Sequence, residues 1–159
     1  MSNKTMRVDD APSSKLAEFY CTIDGKRRHM LSARKFEAKA TPKLADVAAL
    51  GMVITGKKMV GLEVKLSFTV YKCSDMFDDI ITTYKDTGVT QRFECQVASE
   101  DKSTNIGRDS KTYTDCIISG DVLLSMFDED GNFIEQDIEA YAMDYKQDEK
   151  YTDPDYMAE

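Results

Sequence analysis

Nucleophilic, acid–base and metal chemistry draw on His, Cys, Asp and Glu, and this 159-residue chain has one histidine, four cysteines and 29 acidic residues. His29 follows Lys26-Arg27-Arg28 directly after Asp24-Gly25. A Cys–His pair or a histidine-based zinc site would have to rest on that residue alone, and it reads as a solvated strand residue. Cys21, Cys73, Cys95 and Cys116 are widely spaced, form no Cys-x-x-Cys pair and lie in apolar or strand-like surroundings. They read as reduced, buried thiols acting as small hydrophobes. Glycine signatures of nucleotide binding and of a nucleophile elbow are missing from the sequence. Catalytic, cofactor-binding and metal-ligating residues are therefore expected to be none.

Two acidic patterns need weighing. Asp128-Glu129-Asp130-Gly131-Asn132 resembles part of a calcium loop. With Gly131 at loop position 6, position 1 falls on Met126, which cannot ligate calcium, and position 12 on Asp137, where the longer Glu is expected. The segment reads instead as a hairpin turn, with Gly131 and Asn132 able to take positive φ. A hydrolase using scattered carboxylates such as Glu63 and Asp115 would need two of them at a set separation, which spacing in sequence does not provide. A small-ligand or calcium-binding β-barrel module is the other alternative to a structural role.

The net charge of −8 argues against a grip on nucleic-acid phosphates, which depends on Lys and Arg. Hydrophobic residues make up 42% of the chain and charged residues 31%, with only 3 Pro, so the composition is that of a polar globular domain. No run approaches the ~18 apolar residues of a membrane span. Residues 1–14 lack an apolar core, so no secretory signal is expected there.

The elements that would position these residues are mostly strands. Leu16–Ile23 reads as a strand, Asp24-Gly25 as a hairpin turn, and Arg28–Ala38 as the returning strand. Ala40–Thr55, broken by Pro42 and Gly51, reads as a long loop or a short helix at Leu44–Leu50. In Met59–Tyr71, Val60, Leu62, Val64, Leu66, Phe68 and Val70 alternate with Gly61, Glu63, Lys65, Ser67, Thr69 and Tyr71. This is one buried and one polar face sustained over a strand about twice the usual length. Ser74 caps a helix over Asp75–Asp86, with Met76, Phe77, Ile80, Ile81 and Tyr84 as its apolar stripe and Gly88 as its stop. Arg92–Ala98, Lys111–Ser119, Val122–Phe127 and Phe133–Tyr145 read as strands, and Ser99–Ser110 as a loop. The last strand puts Glu135, Asp137 and Glu139 on one face and Ile134, Ile138, Ala140 and Ala142 on the other. The expected fold is mainly β (α+β), an antiparallel β-sandwich or barrel with two long hairpins and one flanking helix. The expected division is an arm at 1–14, a single domain at 15–146 and a charged tail at 147–159.

Long strands with a polar face leave open edges, and pairing those edges with identical neighbours in a ring removes them. The order of elements from Phe19 to Tyr145 resembles the phage tail tube proteins of contractile tails and of phage-tail-like bacteriocins. The resembling pieces are Gly56-Lys57-Lys58-Met59-Val60-Gly61, then Tyr71-Lys72-Cys73-Ser74-Asp75-Met76-Phe77, then Tyr84-Lys85-Asp86-Thr87-Gly88. Phe93-Glu94-Cys95-Gln96-Val97, Ile106-Gly107-Arg108 and Cys116-Ile117-Ile118-Ser119-Gly120-Asp121-Val122 follow.

The resemblance implies a non-enzymatic subunit of stacked hexameric rings that form a hollow tube inside a contractile sheath. Two hairpins, Arg28–Ala38 with Met59–Tyr71 and Lys111–Phe127 with Phe133–Tyr145, would enter an inner β-barrel. Glu63, Lys65, Asp115, Glu135, Asp137 and Glu139 would then be candidates to line the lumen. The loop Thr41–Thr55, with Leu44, Val47, Leu50, Met52 and Ile54, would contact a neighbouring subunit or ring. Partners would be other copies, the sheath, baseplate or initiator and terminator proteins, and DNA only as non-specific cargo, with no membrane insertion. Assembly would take place in the bacterial cytoplasm, before the virion tail or bacteriocin particle is released.

Overall fold

A computed structural model describes residues 5–11, 13, 17–30 and 33–157. Among the described residues, eight strands and one α-helix are formed: β1 (Ala17–Ile23), β2 (Lys26–His29), β3 (Ala33–Val47), β4 (Gly56–Tyr71), α1 (Met76–Thr87), β5 (Phe93–Glu100), β6 (Arg108–Ile118), β7 (Glu135–Ala142) and β8 (Asp144–Glu149). All pairings are antiparallel, in the order β2-β1-β5-β6-β7-β4-β3, with β8 on β6. The two ends of this path face each other. The ring of Phe19 on β1 lies 4.8 Å from Phe36 on β3 and 5.1 Å from Phe68 on β4. The sheet therefore folds back into a sandwich, and the mainly β architecture expected from the sequence is present.

The core lies between the two layers. Cys21, Cys95 and Cys116 enter it from one layer, and Leu66, Phe68, Ile138 and Ala140 from the other, all at 0–1% exposure. Helix α1 closes one end: Phe77 reaches Phe68 at 5.6 Å and Phe93 at 6.0 Å. The helix starts where Ser74 Oγ accepts from the Met76 N–H and ends at Gly88, whose φ of 73° suits a residue without Cβ. Met76, Phe77 and Ile80 are buried, whereas Ile81 and Tyr84 of the same stripe are exposed. The Asp24-Gly25 turn forms as expected, with φ of 54° and 75°.

Several expectations need correction. Arg28–Ala38 is not one strand: β2 ends at His29 on the β1 side, and β3 begins at Ala33 on the β4 side. Ala40–Thr55 is neither a helix nor a long loop, because β3 continues through Pro42 to Val47. β3 is the outer strand of its layer, where a residue lacking an N–H is tolerated. Val122–Phe127 joins no ladder, so the second hairpin has no such strand. Apolar and aromatic residues alone do not make a strand without a partner to pair with. Phe133–Tyr145 is two strands, β7 and β8, that change layers at Met143.

The turn at Asp128 closes with the Gly131 N–H donating to the Asp128 carbonyl, and neither Gly131 nor Asn132 has positive φ. Asp at the first and Gly at the fourth position suit a type I turn, which needs none. Cys73 is exposed rather than buried. Strand β8 runs across 146–147, where the domain boundary was placed, and the Thr152 N–H donates to the Ile106 carbonyl. Val8–Asp10 forms a short 3-10 helix whose Asp9 carbonyl accepts from the Asn105 N–H. Lys15, Leu16, Leu31 and Ser32, with residues 1–4, 12, 14 and 158–159 of the arm and tail, lie outside the described residues.

Candidate assembly surface

Two faces of the β3–β4 hairpin carry the residues singled out in the sequence. β7 covers β4 only from Val64 to Tyr71, so residues 56–63 pair with β3 alone. This two-stranded ribbon extends about 26 Å from the body at ~3.3 Å per residue. Its inner face continues the stripe that forms the core. Between the pairs Lys43↔Gly61 and Leu44↔Met59, β4 advances one residue more than β3, a β-bulge at Val60. The bulge keeps Leu44 and Met59 in step with Pro42 and Leu62. Leu44, Met59, Val60 and Leu62 are each more than half exposed. At the tip, residues 48–55 carry no charge, and Leu50, Val53 and Ile54 are almost fully exposed.

Of the expected contact residues, Leu50, Met52 and Ile54 lie at this tip, while Leu44 and Val47 lie in β3. Val53, Met59, Val60 and Leu62 belong to the same surface. Val53 lies inside the expected contact loop, whereas Met59, Val60 and Leu62 were missed because the alternation of β4 implies a buried face along its whole length.

The opposite face of β3, β4 and β7 is charged on every strand. Lys65 lies opposite Lys39 and Tyr141, Ser67 opposite Glu37 and Glu139, and Thr69 opposite Lys35 and Asp137. Residues directly opposite share a face, so Glu63, Lys65, Glu135, Asp137 and Glu139 come together. Asp115 does not join them. It sits at a bulge of β6 with φ of 51°, and its carbonyl accepts from Arg92.

Basic residues balance the acidic ones on this face. Lys39 lies 2.9 Å from Glu37, Lys43 3.9 Å from Glu63 and Lys65 3.9 Å from Glu139, while Arg34 pairs with Glu135. A hydrogen bond from Lys39, with its charge and that of Lys35, lowers the Glu37 carboxyl pKa. Thr69 Oγ1 donates to Asp137 Oδ1 at 2.6 Å. The face is a mixed-charge lattice, not an acidic wall. Lys35, Lys39 and Lys43 could not be assigned to it before the register of β3 was known.

A second exposed region is the segment between β6 and β7. It is tied down at its base: Lys72 Nζ donates to the Leu123 carbonyl at 2.6 Å and pairs with Asp78 at 2.9 Å, and the Lys72 N–H donates to the Ile134 carbonyl. Leu124, Phe127 and Phe133 are exposed along it. Among the described residues, no group of three or more His, Cys, Asp or Glu is placed to hold a metal ion. Among those residues, no helix is long and apolar enough to cross a membrane.

Several solved structures share this fold. A chain of the anti-feeding prophage baseplate, 6-fold symmetrised, superposes with a TM-score of 0.60 at 11% identity, covering 92% of this chain and 97% of that one. A chain of the PVC sheath–tube complex, an extracellular contractile injection system in its extended state, gives 0.61 at 9% identity, covering 88% and 93%. The anti-feeding prophage tube-terminating cap gives 0.63 at 10% identity, covering 90% and 94%. No curated protein matches the sequence. The profile of the phage tail tube protein family matches residues 4–148, and the chain belongs to that family.

Proposed function

We propose that the chain is the repeating subunit of a hollow tail tube, built of stacked hexameric rings inside a contractile sheath, and serves delivery of DNA or membrane puncture. One observation carries this reading: the apolar stripe that forms the core runs out along the β3–β4 ribbon into solvent. Exposed apolar surface of that extent marks an interaction site. Each Leu, Ile or Val that a neighbour fully covers contributes about 1.5–3 kcal/mol. Association itself costs about 4–15 kcal/mol, so several must be covered together. The ribbon offers them in one row.

The outer edge of β3 would pair with a neighbouring copy, and the charged face of β3, β4 and β7 would line the lumen. Leu44, Val47, Leu50, Met52 and Ile54 would contact that copy. A face with alternating charges would hold neither a polyanion nor a polycation strongly, which suits the passage of cargo. The sheath, a baseplate or initiator and a terminator would be further partners. Assembly would take place in the bacterial cytoplasm, with the finished tube in a virion tail or a released particle. We divide the chain into an arm at 1–14 and a single domain from 15 that extends past 146 to take in β8, with the tail after it.

Negative-stain electron microscopy of the purified chain across a concentration series tests this. Stacked rings or hollow tubes that disappear in Leu62→Asp are expected. A monomer at every concentration, with or without preformed particles as seeds, would overturn the reading.

A further inference from the structure

Strand β2 is basic in an acidic chain. Lys26, Arg27, Arg28 and His29 follow one another, and all are exposed at the outer edge of their layer. Arg27 is held over the Tyr20 ring at 4.1 Å and donates to Gln96 Oε1 at 2.9 Å. Arg28 donates to Ser74 Oγ at 3.3 Å.

Beside Arg28 and His29 opens a cleft of about 120 Å³, with Met30, Val70, Met76 and Phe77 as its apolar lining. A cavity of about 150 Å³ lined by such residues takes up benzene. Gln136, 4% exposed, also lines the cleft, and its Oε1 has no hydrogen-bond partner. An aromatic ring presents a positive edge to such an oxygen.

The complementary features lie on the segment before β7. Phe127 is 96% exposed and is followed by Asp128, Glu129 and Asp130, all in solvent. The base of this segment is fixed by Lys72, and Phe133 packs edge-on against Tyr71 at 6.0 Å, so Phe133 is the ring the segment lays on its own subunit and Phe127 is left in solvent.

We propose that the turn Phe127–Asp130 of one copy docks on β2 of a second copy. Phe127 fills the cleft, and Asp128, Glu129 and Asp130 meet Lys26, Arg27 and Arg28. The inference rests on the tube reading and names one of its contacts. Donor and acceptor are different patches, so the contact is head-to-tail and either closes a ring or propagates along a stack.

Cys73, exposed and lining the same cleft, makes the contact testable in the full chain. Under mild oxidation by copper–phenanthroline, Phe127→Cys is expected to give a ladder of disulfide-linked copies on a non-reducing gel. The ladder should vanish in Phe127→Cys/Cys73→Ser. A linked species that migrates as a compact monomer would mean the turn folds onto its own cleft and would overturn the proposal. A ladder equally strong from Glu18→Cys would overturn it as well.

Charge reversal gives a second readout on folded chains. Arg27→Glu/Arg28→Glu and Asp128→Lys/Glu129→Lys should each raise the concentration needed for assembly at least tenfold. Mixing the two should restore assembly, since reversed turn then meets reversed strand. Tubes that form normally from both variants would remove this contact while leaving the tube reading intact. If wild-type chains never form rings but Phe127→Cys still yields linked dimers, the tube reading fails and the contact stands.

Discussion

Leu66 and Leu62 point to the same side of β4, four residues apart, yet Leu66 is 0% exposed and Leu62 is 58% exposed. β7 and the facing layer cover the first, and neither reaches the second. Aspartate at the two sites should therefore have opposite consequences. Leu66→Asp loses a buried side chain, worth about 2–5 kcal/mol even for an alanine replacement, and buries an unpaired charge. Against a total stability of about 5–15 kcal/mol, no soluble folded protein is expected. Leu62→Asp should shift stability by no more than about 0.5 kcal/mol and abolish assembly. Thermal unfolding and sedimentation read the two effects separately. Normal sedimentation of Leu62→Asp would show that the ribbon stripe makes no contact.

Lys72 joins three parts of the fold: the end of β4, the first turn of α1 through Asp78, and the β6–β7 segment through Leu123. Its side chain is 11% exposed and that of Asp78 15%. Lys72→Met should cost somewhat less than the about 3–5 kcal/mol of breaking a fully buried pair. It should also release residues 119–134 to limited proteolysis. Unchanged cleavage in that segment would mean other contacts hold it.

How far the sequence could be read follows from which interactions were local. The helix stop at Gly88, the Asp24-Gly25 turn and the alternation of β4 from Leu66 to Val70 depend on neighbours a few residues away and could be read directly, whereas the helix N-cap falls on Asp75, one residue past Ser74. Pro42 looked like a break because its acceptability depends on β3 being outermost, which no local pattern states. Val122–Phe127 has strand-like residues, but a strand needs a ladder partner. The charged face was half legible. Glu135, Asp137 and Glu139 share it by simple alternation, whereas Lys39 beside Glu37 and opposite Lys65 depends on the register between strands. Asp115 was misplaced because a bulge breaks the alternation of β6.

Glu139 lies opposite Ser67 and 3.9 Å from Lys65, with both side chains nearly half exposed. Exposed pairs of this kind contribute about 0.2–1 kcal/mol. Glu139→Lys should accordingly fold and unfold within a few degrees of wild type. If this face lines a lumen, tubes of the variant should retain a short single-stranded oligonucleotide in sedimentation, and added salt should release it. A large fall in melting temperature would make Glu139 structural instead.

The four thiols should divide one against three. Cys73 is exposed, while Cys21, Cys95 and Cys116 are buried together. Hydrogen bonding to Cys116 and Cys21, with burial, raises the Cys95 thiol pKa well above its usual value, which makes it a poorer nucleophile. A chromogenic disulfide reagent should titrate one thiol in the unassembled native chain and four in denaturant. A Cys73→Ser chain should give none until it unfolds. Rapid reaction of a second thiol in the native chain would mean the two layers open easily.

Tyr113 makes the fold lose stability at alkaline pH. Burial, with the Asp109 carboxylate as a second cause, pushes its phenol pKa up to about 12. An unfolded chain releases the same proton near pH ~10. The folded state holds the proton more tightly, so this contribution is fully present below about pH 10 and is lost as the pH rises through about 12. Tyr113→Phe keeps the ring that lies 6.1 Å from Phe36 and from Tyr145, and removes the titrating group. Denaturant unfolding of both chains between about pH 9 and pH 12 should show wild type losing stability relative to the variant across that window. Lysine deprotonation affects both chains alike and cancels in the difference. A gap that stays constant with pH would mean the phenol remains solvated in the folded protein.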